Sequence, residues 1–233
     1  PATALRDLEW NNVRALIENG GALWYDRAID KGAHFVPKEE GVSVCYGGAL
    51  WLGGISPDQQ LKLAAVKYRN SGNDFWPGPL SNTGEAEVDE ATCQQYDKFT
   101  ISYRADAMRH RQFHDAVVAG TAEADFPDGY VTPAYFDDYP AHGNTALNQD
   151  YYLSPFLDYD GDGFYNPGNG DYPWFDFLQQ IDCSERRRED IVPLYGDQNY
   201  YWIFNDKGNV HSESNGEPIG MEIRAQAFVF STN

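Results

Sequence analysis

The stretch DYDGDGFYNPGNGDYP, residues 158–173, contains the residues whose types and spacing point most directly to a chemical role. Asp158, Asp160 and Asp162 alternate along it, and Gly163 follows at the place where the twelve-residue calcium loop makes its sharp turn. Hard cations need several oxygen ligands on a short arc of chain, and alternating aspartates supply them. The spacing predicts a calcium site; the alternative is an acidic turn that holds no ion.

The rest of the predicted ligand set comes from the same comparison. Position 7 of the loop offers the main-chain carbonyl of Phe164, and position 9 is Asn166. Position 12 is Asn169 instead of the usual glutamate, so Asp171 is the nearest acid that could close the shell. The predicted metal ligands are therefore Asp158, Asp160, Asp162, Phe164, Asn166 and Asp171.

Prolines at 155, 167 and 173 surround this loop, which makes a helix–loop–helix hand a poor fit. We therefore expect a calcium loop without flanking helices that clamps a long coil. Magnesium fits less well, because it keeps its waters and rarely occupies an all-protein cage.

Other residues offer weaker chemical signals. His110 and His114 are four apart on a predicted helix, but two surface or boundary histidines are the simpler interpretation. His142 follows Pro140 in a loop without a serine elbow or a cysteine-nucleophile signature, and a structural histidine bonded to backbone is favoured. No residue is assigned a catalytic role.

The charge of the chain narrows the class of partner. Its 233 residues carry a formal net charge of −19. Such a chain is a poor match for the phosphates of nucleic acid and for anionic membrane surfaces, whereas divalent cations suit it. Solubility in a salty medium is the alternative explanation for most of the acids. No apolar run reaches membrane-spanning length, so membrane insertion is not expected.

Three cysteines are present, and no pair has zinc-ligand spacing. Cys45 lies in an apolar strand pattern and is expected to be a small buried side chain. Cys93 and Cys183 lie in polar, loop-like sequence. A bridge between Cys93 and Cys183 is one hypothesis, and three free thiols are the alternative.

The periodicity of the chain favours a mainly β fold of sandwich-like antiparallel sheets, with one or two short helices and long loops. Two apolar runs flank Ser56–Gln60 and predict a hairpin, and alternation predicts two final strands within 199–206 and 218–230. Residues 105–120 predict a helix that ends at Gly120. Its expected buried stripe is Ala107, Met108, Phe113, Ala116 and Val117.

Several segments, taken in order, resemble the N-terminal region of large secreted proteins of Bacteroidota that are cargo of the type IX secretion system. The segments are NNVRALIENGGALWYD, GGALWLGGIS with QLKLAAVKYRNSGNDFWPGPL, YPAHGN, FLDYDGDGFYNPGNGDYP, YGDQNYYWIFNDKGNVHSE and PIGMEIRAQAFVFST. The resemblance implies an extracellular or cell-surface location, a mostly β architecture, and a calcium loop at Asp158–Asp171. It also implies that more chain usually follows. We expect residues 1–233 to form a single calcium-stabilised, mainly β domain in the N-terminal part of a longer chain.

The expected function is therefore that of a non-catalytic structural or adhesive module. Its expected partners are other surface or secretion-system proteins, or further copies of itself. One alternative is a carbohydrate-binding or glycan-processing module, with Trp76 and Trp174 as aromatic contacts for a sugar. Another is a subunit of an extracellular filament or of a secretion-associated complex.

Overall fold

The computed structural model describes residues 1–67, 72–174 and 194–232. Within these ranges the strands are β1 (Leu5–Glu9), β2 (Arg14–Glu18), β3 (Ala22–Leu23), β4 (Tyr25–Asp26), β5 (Lys31–Gly32), β6 (His34–Phe35), β7 (Ser43–Cys45), β8 (Gly48–Ala49), β9 (Trp51–Ile55), β10 (Leu61–Ala65), β11 (Trp76–Pro77), β12 (Thr100–Tyr103), β13 (Phe156–Leu157), β14 (Tyr172–Pro173), β15 (Gln198–Asn205) and β16 (Glu222–Val229). The α-helices are α1 (Glu90–Tyr96), α2 (Arg104–Ala119) and α3 (Ala122–Asp125). Short 3-10 helices span Lys38–Glu40, Ala134–Phe136, Thr145–Leu147 and Pro167–Asn169. The predicted mainly β class with antiparallel sheets is confirmed.

The first part of the chain forms a six-stranded antiparallel sheet, the N-terminal sheet. β2 lies in its middle and pairs with β1 along its whole length, and also with β3 and β6. Ala15 and Ile17 of β2 are buried, and the residues before and between them are half-buried. This period of two is typical of a strand with one face in a core. The alternation therefore agrees with the position of β2 at the edge of a core.

A second sheet, the central sheet, is built around β15. All eight residues of β15 are buried, and β16 pairs with it from Gln198–Val229 to Asn205–Glu222. β11 and β12 pair with the other edge of β15. Both predicted final strands are present, and the aromatic content of β15 suits a strand that is covered on both faces.

One face of the central sheet packs on the N-terminal sheet and forms a sandwich core. Tyr200, Trp202 and Phe204 project to this side from β15 because alternate residues share a face. They meet Ile17 of β2 and Phe75, whose ring lies edge-on to Phe204 at 5.5 Å between centroids. Half-buried residues of β16 complete this side: Ile223, Ala225 and Ala227.

The opposite face of the central sheet is covered by helix and coil instead of a further sheet. Tyr201 and Ile203 belong to a second core with Phe136, Leu153 and Tyr172. These three side chains come from the proline-rich coil of residues 121–174. This coil shields the face of the central sheet from water. The aspartate-rich loop, residues 158–171, lies within the coil.

Helix α2 agrees with prediction in its extent but not in its buried face. Gly120 has φ of +73° and its N–H bonds to the carbonyls of Ala116 and Val117, which is the expected glycine C-cap. Met108 and Val117, however, are 45% and 51% exposed. His110, expected near the surface, takes a core position and is fully buried.

The β9–β10 hairpin agrees with the sequence prediction, whereas helix α1 does not. The hairpin around Ser56–Gln60 is confirmed, because β9 and β10 pair from Trp51–Ala65 to Ile55–Leu61. Helix α1 contains Cys93, so the polar sequence around that residue, expected to be loop-like, is helical. Among the described residues, no helix combines the length and apolar character needed to cross a membrane.

Candidate metal site

The aspartate-rich loop is closed at its base by a two-stranded ribbon. β13 pairs with β14 through Phe156–Pro173 and Leu157–Tyr172, which brings the two ends of residues 158–171 together. Gly163 has φ of +78°, in the left-handed region that favours glycine. This matches the role predicted for it at the sharp turn of the loop.

Three carboxylates of the loop converge. Oxygen atoms of Asp158, Asp160 and Asp171 all lie within 4.8 Å of one another. Asp160 is exposed, Asp158 is half-buried and Asp171 is fully buried. The group therefore runs from the surface of the loop into its interior.

Asp171 holds the two sides of the loop together. Its Oδ1 accepts a hydrogen bond of 2.7 Å from the N–H of Tyr159, and its Oδ2 accepts one of 2.7 Å from the N–H of Asn166. Burial raises the pKa of Asp171, and the negative charges of Asp158 and Asp160 raise it further, while the two backbone hydrogen bonds lower it. The ionised cluster is thus strained by desolvation and by mutual repulsion, which a bound cation would relieve.

The other two carboxylates also organise loop backbone. Asp158 accepts hydrogen bonds of 2.8 Å from the N–H groups of Gly161 and Gly163. Asp160 accepts one of 2.8 Å from the side-chain amide of Asn169, the residue at the position where the standard loop has glutamate. Each carboxylate oxygen has two lone pairs, so one such bond leaves capacity for a metal.

The structure brings together three of the six predicted ligands as a carboxylate cluster. Asp162 is exposed and outside that cluster, and its Oδ1 accepts a hydrogen bond of 2.7 Å from the N–H of Phe164. The Asn166 side-chain oxygen caps the 3-10 helix by accepting from the N–H of Gly168. The Phe164 ring is 55% exposed.

Helix α2 supports one side of the loop. The Tyr159 hydroxyl donates a 2.8 Å hydrogen bond to Asp115, and the Tyr159 ring lies 5.7 Å from that of His114. A Cβ at Gly170 would lie 2.8 Å from the Tyr159 ring and 3.0 Å from Cγ of His114, so the loop backbone approaches α2 closely at a residue without a side chain. These contacts fix the position of the loop relative to α2, the longest helix described.

His142 ties the other side of the loop to the coil. Its Nε2 accepts a 2.9 Å hydrogen bond from the N–H of Tyr165, so its Nδ1 carries the proton and donates to the carbonyl of Tyr151 at 3.0 Å. The expectation of a structural histidine bonded to backbone is confirmed. The Tyr165 hydroxyl continues the connection by donating to the carbonyl of Phe136 at 2.9 Å.

His110 and His114 face the loop from α2, with 4.6 Å between their ring centroids. Nδ1 of His110 lies 2.9 Å from the Tyr130 hydroxyl. Burial and the neighbouring His114 lower the pKa of His110 to about 4, so its imidazole is neutral at physiological pH. The pair is part of the packing between the helix and the coil.

The other predicted site residues have different outcomes. Trp76 is 7% exposed and its ring stacks on His211. The prediction that Trp76 is an exposed aromatic contact for a sugar is therefore wrong, because its ring is buried. Trp174 is half-buried. Cys45 and Cys93 are both half-buried thiols, and Cys183 lies outside the described residues, so the Cys93–Cys183 bridge stays a prediction.

Comparisons with protein-family models, with curated proteins and with solved structures give no match to this chain. The resemblance to secreted Bacteroidota proteins therefore stays a prediction from the quoted segments.

Proposed function

We propose that this chain is a calcium-stabilised, mainly β module of a secreted cell-surface protein, with a structural or adhesive role and no catalysis. One observation carries the calcium part: Asp158, Asp160 and a fully buried Asp171 direct oxygens into one small volume. A buried carboxylate beside two others needs a compensating positive charge, and hard divalent cations are matched by oxygen ligands.

Asp158, Asp160 and Asp171 would hold the ion. Asp162, Asn166 and the carbonyl of Phe164 are the remaining candidate ligands, and Asn166 could act through water as position 9 often does. The bound ion would supply charge compensation and rigidity only.

Ion binding would stabilise more than the loop itself. Through Tyr159 and Tyr165 the loop is bonded to α2 and to the coil, and Tyr172 after it belongs to the core under the central sheet. At about 1 mM external calcium and a dissociation constant on the order of 10 µM, linkage predicts about 2.7 kcal/mol of stabilisation. This is a large share of the stability of an ordinary domain.

Calorimetric calcium titration of loop variants tests this proposal. We expect Asp160→Asn to weaken calcium binding at least tenfold, because Asp160 is an exposed member of the cluster whose loss leaves no buried group unpaired. Asp128→Asn is the matched control: it removes the same charge from an exposed turn outside the loop and should leave binding unchanged. Equal calcium affinity in the two variants would refute the assignment.

The surface role rests on the resemblance and on the acidic charge. Proteins outside the cell meet millimolar calcium, which suits a structural site of moderate affinity. The proposed partners are other surface or secretion-system proteins, or copies of the chain itself as in a filament. Electron microscopy and sedimentation in calcium and in chelator test self-assembly, and a monomer under both conditions would argue against the filament alternative.

A glycan-binding role is the second candidate, favoured by a group of partly exposed aromatic rings at the aspartate-rich loop. The His142 ring stacks between Tyr151 at 4.1 Å and Phe164 at 5.4 Å. Tyr152, 55% exposed, adds a further ring. Exposed aromatic faces can pack against sugar rings. Glycan-array binding that Phe164→Ala abolishes would support this role, whereas no binding to any glycan on the array would remove it.

A further inference from the structure

His211 lies in the segment between β15 and β16, and both of its ring nitrogens face main-chain carbonyl oxygens. The residue is 2% exposed. Its Nδ1 lies 2.7 Å from the carbonyl oxygen of Leu63 in β10, and its Nε2 lies 2.5 Å from that of Asp206, directly after β15. A carbonyl oxygen can only accept a hydrogen bond, so each of these contacts requires a proton on the nitrogen. We call the two contacts together the His211 bridge.

The His211 bridge is complete only when the ring carries a positive charge. A neutral imidazole has one N–H group and one bare nitrogen, whereas an imidazolium has two N–H groups. In a neutral ring, whichever nitrogen is bare would point its lone pair at the lone pairs of a carbonyl oxygen. The imidazolium replaces that repulsion by a second, charge-assisted hydrogen bond. The geometry therefore favours the charged form.

A buried carboxylate compensates that charge. An oxygen of Asp74 lies 3.8 Å from Nδ1 of His211, and both side chains are fully buried. Burial raises the pKa of Asp74, but hydrogen bonds from Ser214 and from main-chain N–H groups outweigh burial and lower it. Asp74 is therefore an anion at neutral pH. A buried anion at this distance favours the charged form of a histidine.

An aromatic ring and further carboxylates also surround His211. The ring of Trp76 stacks on that of His211, with 5.9 Å between centroids and 26° between planes, and an indole face attracts a cation. The neighbouring segments contribute the carboxylates of Asp206 and Glu213, each bonded to main-chain N–H groups. Lys67 contributes a positive charge, and its ammonium donates to the Glu213 carbonyl. Among these groups the carboxylates outnumber the ammonium, which again favours an imidazolium.

We propose that His211 is an imidazolium in the folded protein at neutral pH, and that its charge holds the β9–β10 hairpin to the central sheet as a pH-sensitive switch. Among the described strands, β9 and β10 pair only with each other, so contacts such as the His211 bridge keep the hairpin in place. Loss of the second proton at higher pH breaks one arm of the bridge and loosens the hairpin. This switch is independent of the proposed calcium loop.

Nitrogen NMR of the chain with isotope-labelled histidine tests the charge directly. A histidine in an unfolded chain is mostly neutral at roughly pH 7.5, because its pKa is about 6.5. Once the signals of His211 are assigned through the backbone, we expect two protonated ring nitrogens with similar chemical shifts at this pH. One protonated and one bare nitrogen, the pattern of a neutral ring, would overturn the proposal.

Asp74→Asn tests the partner of the cation. The amide keeps the size of the side chain and removes the negative charge, so His211 should lose its second proton at lower pH than in the unaltered chain. Asp58→Asn removes the same charge from an exposed turn and should leave the titration of His211 unchanged. The same titration of His211 in both variants would overturn the role given to Asp74. NMR of the unaltered chain decides the charge of His211 even where Asp74→Asn does not fold.

Hydrogen exchange tests the switch. The stability that the charged ring contributes is complete at acidic pH, where folded and unfolded chains both hold the proton, and is lost as pH rises through the range in which only the folded chain holds it. Protection of the Leu63 and Ala65 amides, corrected for intrinsic exchange, should fall by about tenfold for each pH unit of this range, and less steeply in His211→Gln.

His34→Gln is the matched control for the exchange experiment. It removes a histidine of the N-terminal sheet whose Nδ1 has no hydrogen-bond partner in the described ranges, so its amides should respond to pH like those of the unaltered chain. Equal dependence of the Leu63 and Ala65 amides on pH in His211→Gln and His34→Gln would overturn the switch.

Discussion

Glu18 makes the stability of this fold depend on pH. It is the last residue of β2, and its carboxylate bonds to Arg27 at 2.5 Å. The second carboxylate oxygen is buried without a hydrogen-bond partner in the described part of the chain. Burial raises the pKa of Glu18 from 4.5 to about 7, with Arg27 opposing the rise and the charge of Asp97 adding to it.

The direction and size of the effect follow from linkage. Because the pKa is higher in the folded state, the contribution of Glu18 to stability is full below pH 4.5 and is lost as pH rises through 7. A rise from 4.5 to about 7 corresponds to about 3 kcal/mol between acidic and alkaline pH. Glu18→Gln removes this titration. The free energy of unfolding of the variant, relative to that of the unaltered chain, should therefore rise by about 2–3 kcal/mol between roughly pH 5 and pH 8.

Thermal unfolding followed by circular dichroism measures this difference. For a domain of this size, about 2–4 °C of melting temperature corresponds to 1 kcal/mol, so the relative gain at the higher pH should be roughly 4–12 °C. Glu39→Gln, at an exposed position, is the control and should show no such trend. A constant difference between Glu18→Gln and the unaltered chain across this pH range would refute the reasoning.

Three further predictions concern positions where the structure leaves little freedom. Asp74→Asn should destabilise the fold by about 2–4 kcal/mol in urea unfolding, because the buried Asp74 accepts from the N–H groups of Ala65 and Glu213; an unchanged midpoint would contradict this. Gly143→Ala should lower the free energy of unfolding by about 1–3 kcal/mol in the same urea measurement, because the new Cβ would lie 2.4 Å from the Asp150 carbonyl oxygen. Gly54→Ala is the control: no atom lies within 4 Å of its new Cβ, so its free energy of unfolding should be nearly unchanged. Trp76→Ala should lower stability by about 3–5 kcal/mol, so any loss of ligand binding in that variant must be compared with its loss of folded protein.

Local patterns predicted the elements that depend on neighbours in sequence. Alternation between Ile223 and Ala227 identified β16, and the glycine at 120 identified the end of α2. Helix α1 was missed although it has a local signal: Asp89 caps it by accepting from the N–H of Thr92 at 2.9 Å. The acidic composition around Asp89 hid this capping pattern.

Long-range packing decided what the sequence could not predict. Met108 is 45% exposed in the described part of the chain, whereas His110 meets Tyr130 and Tyr172 of the coil that follows the helix. Trp76 is buried because β11 pairs with β15 across more than a hundred residues. In the loop, the sequence comparison already named Asp158, Asp160 and Asp171. Only the fold shows that these three carboxylates converge and that Asp162, also named, lies outside the cluster.

The most direct test of the calcium proposal is a thermal melt of the purified chain in chelator, in millimolar calcium and in millimolar magnesium. We predict a rise of roughly 5–10 °C with calcium, from about 2.7 kcal/mol of linkage, and little or no rise with magnesium. The same melting temperature in all three conditions would contradict the proposal and leave the aspartate cluster as an acidic turn.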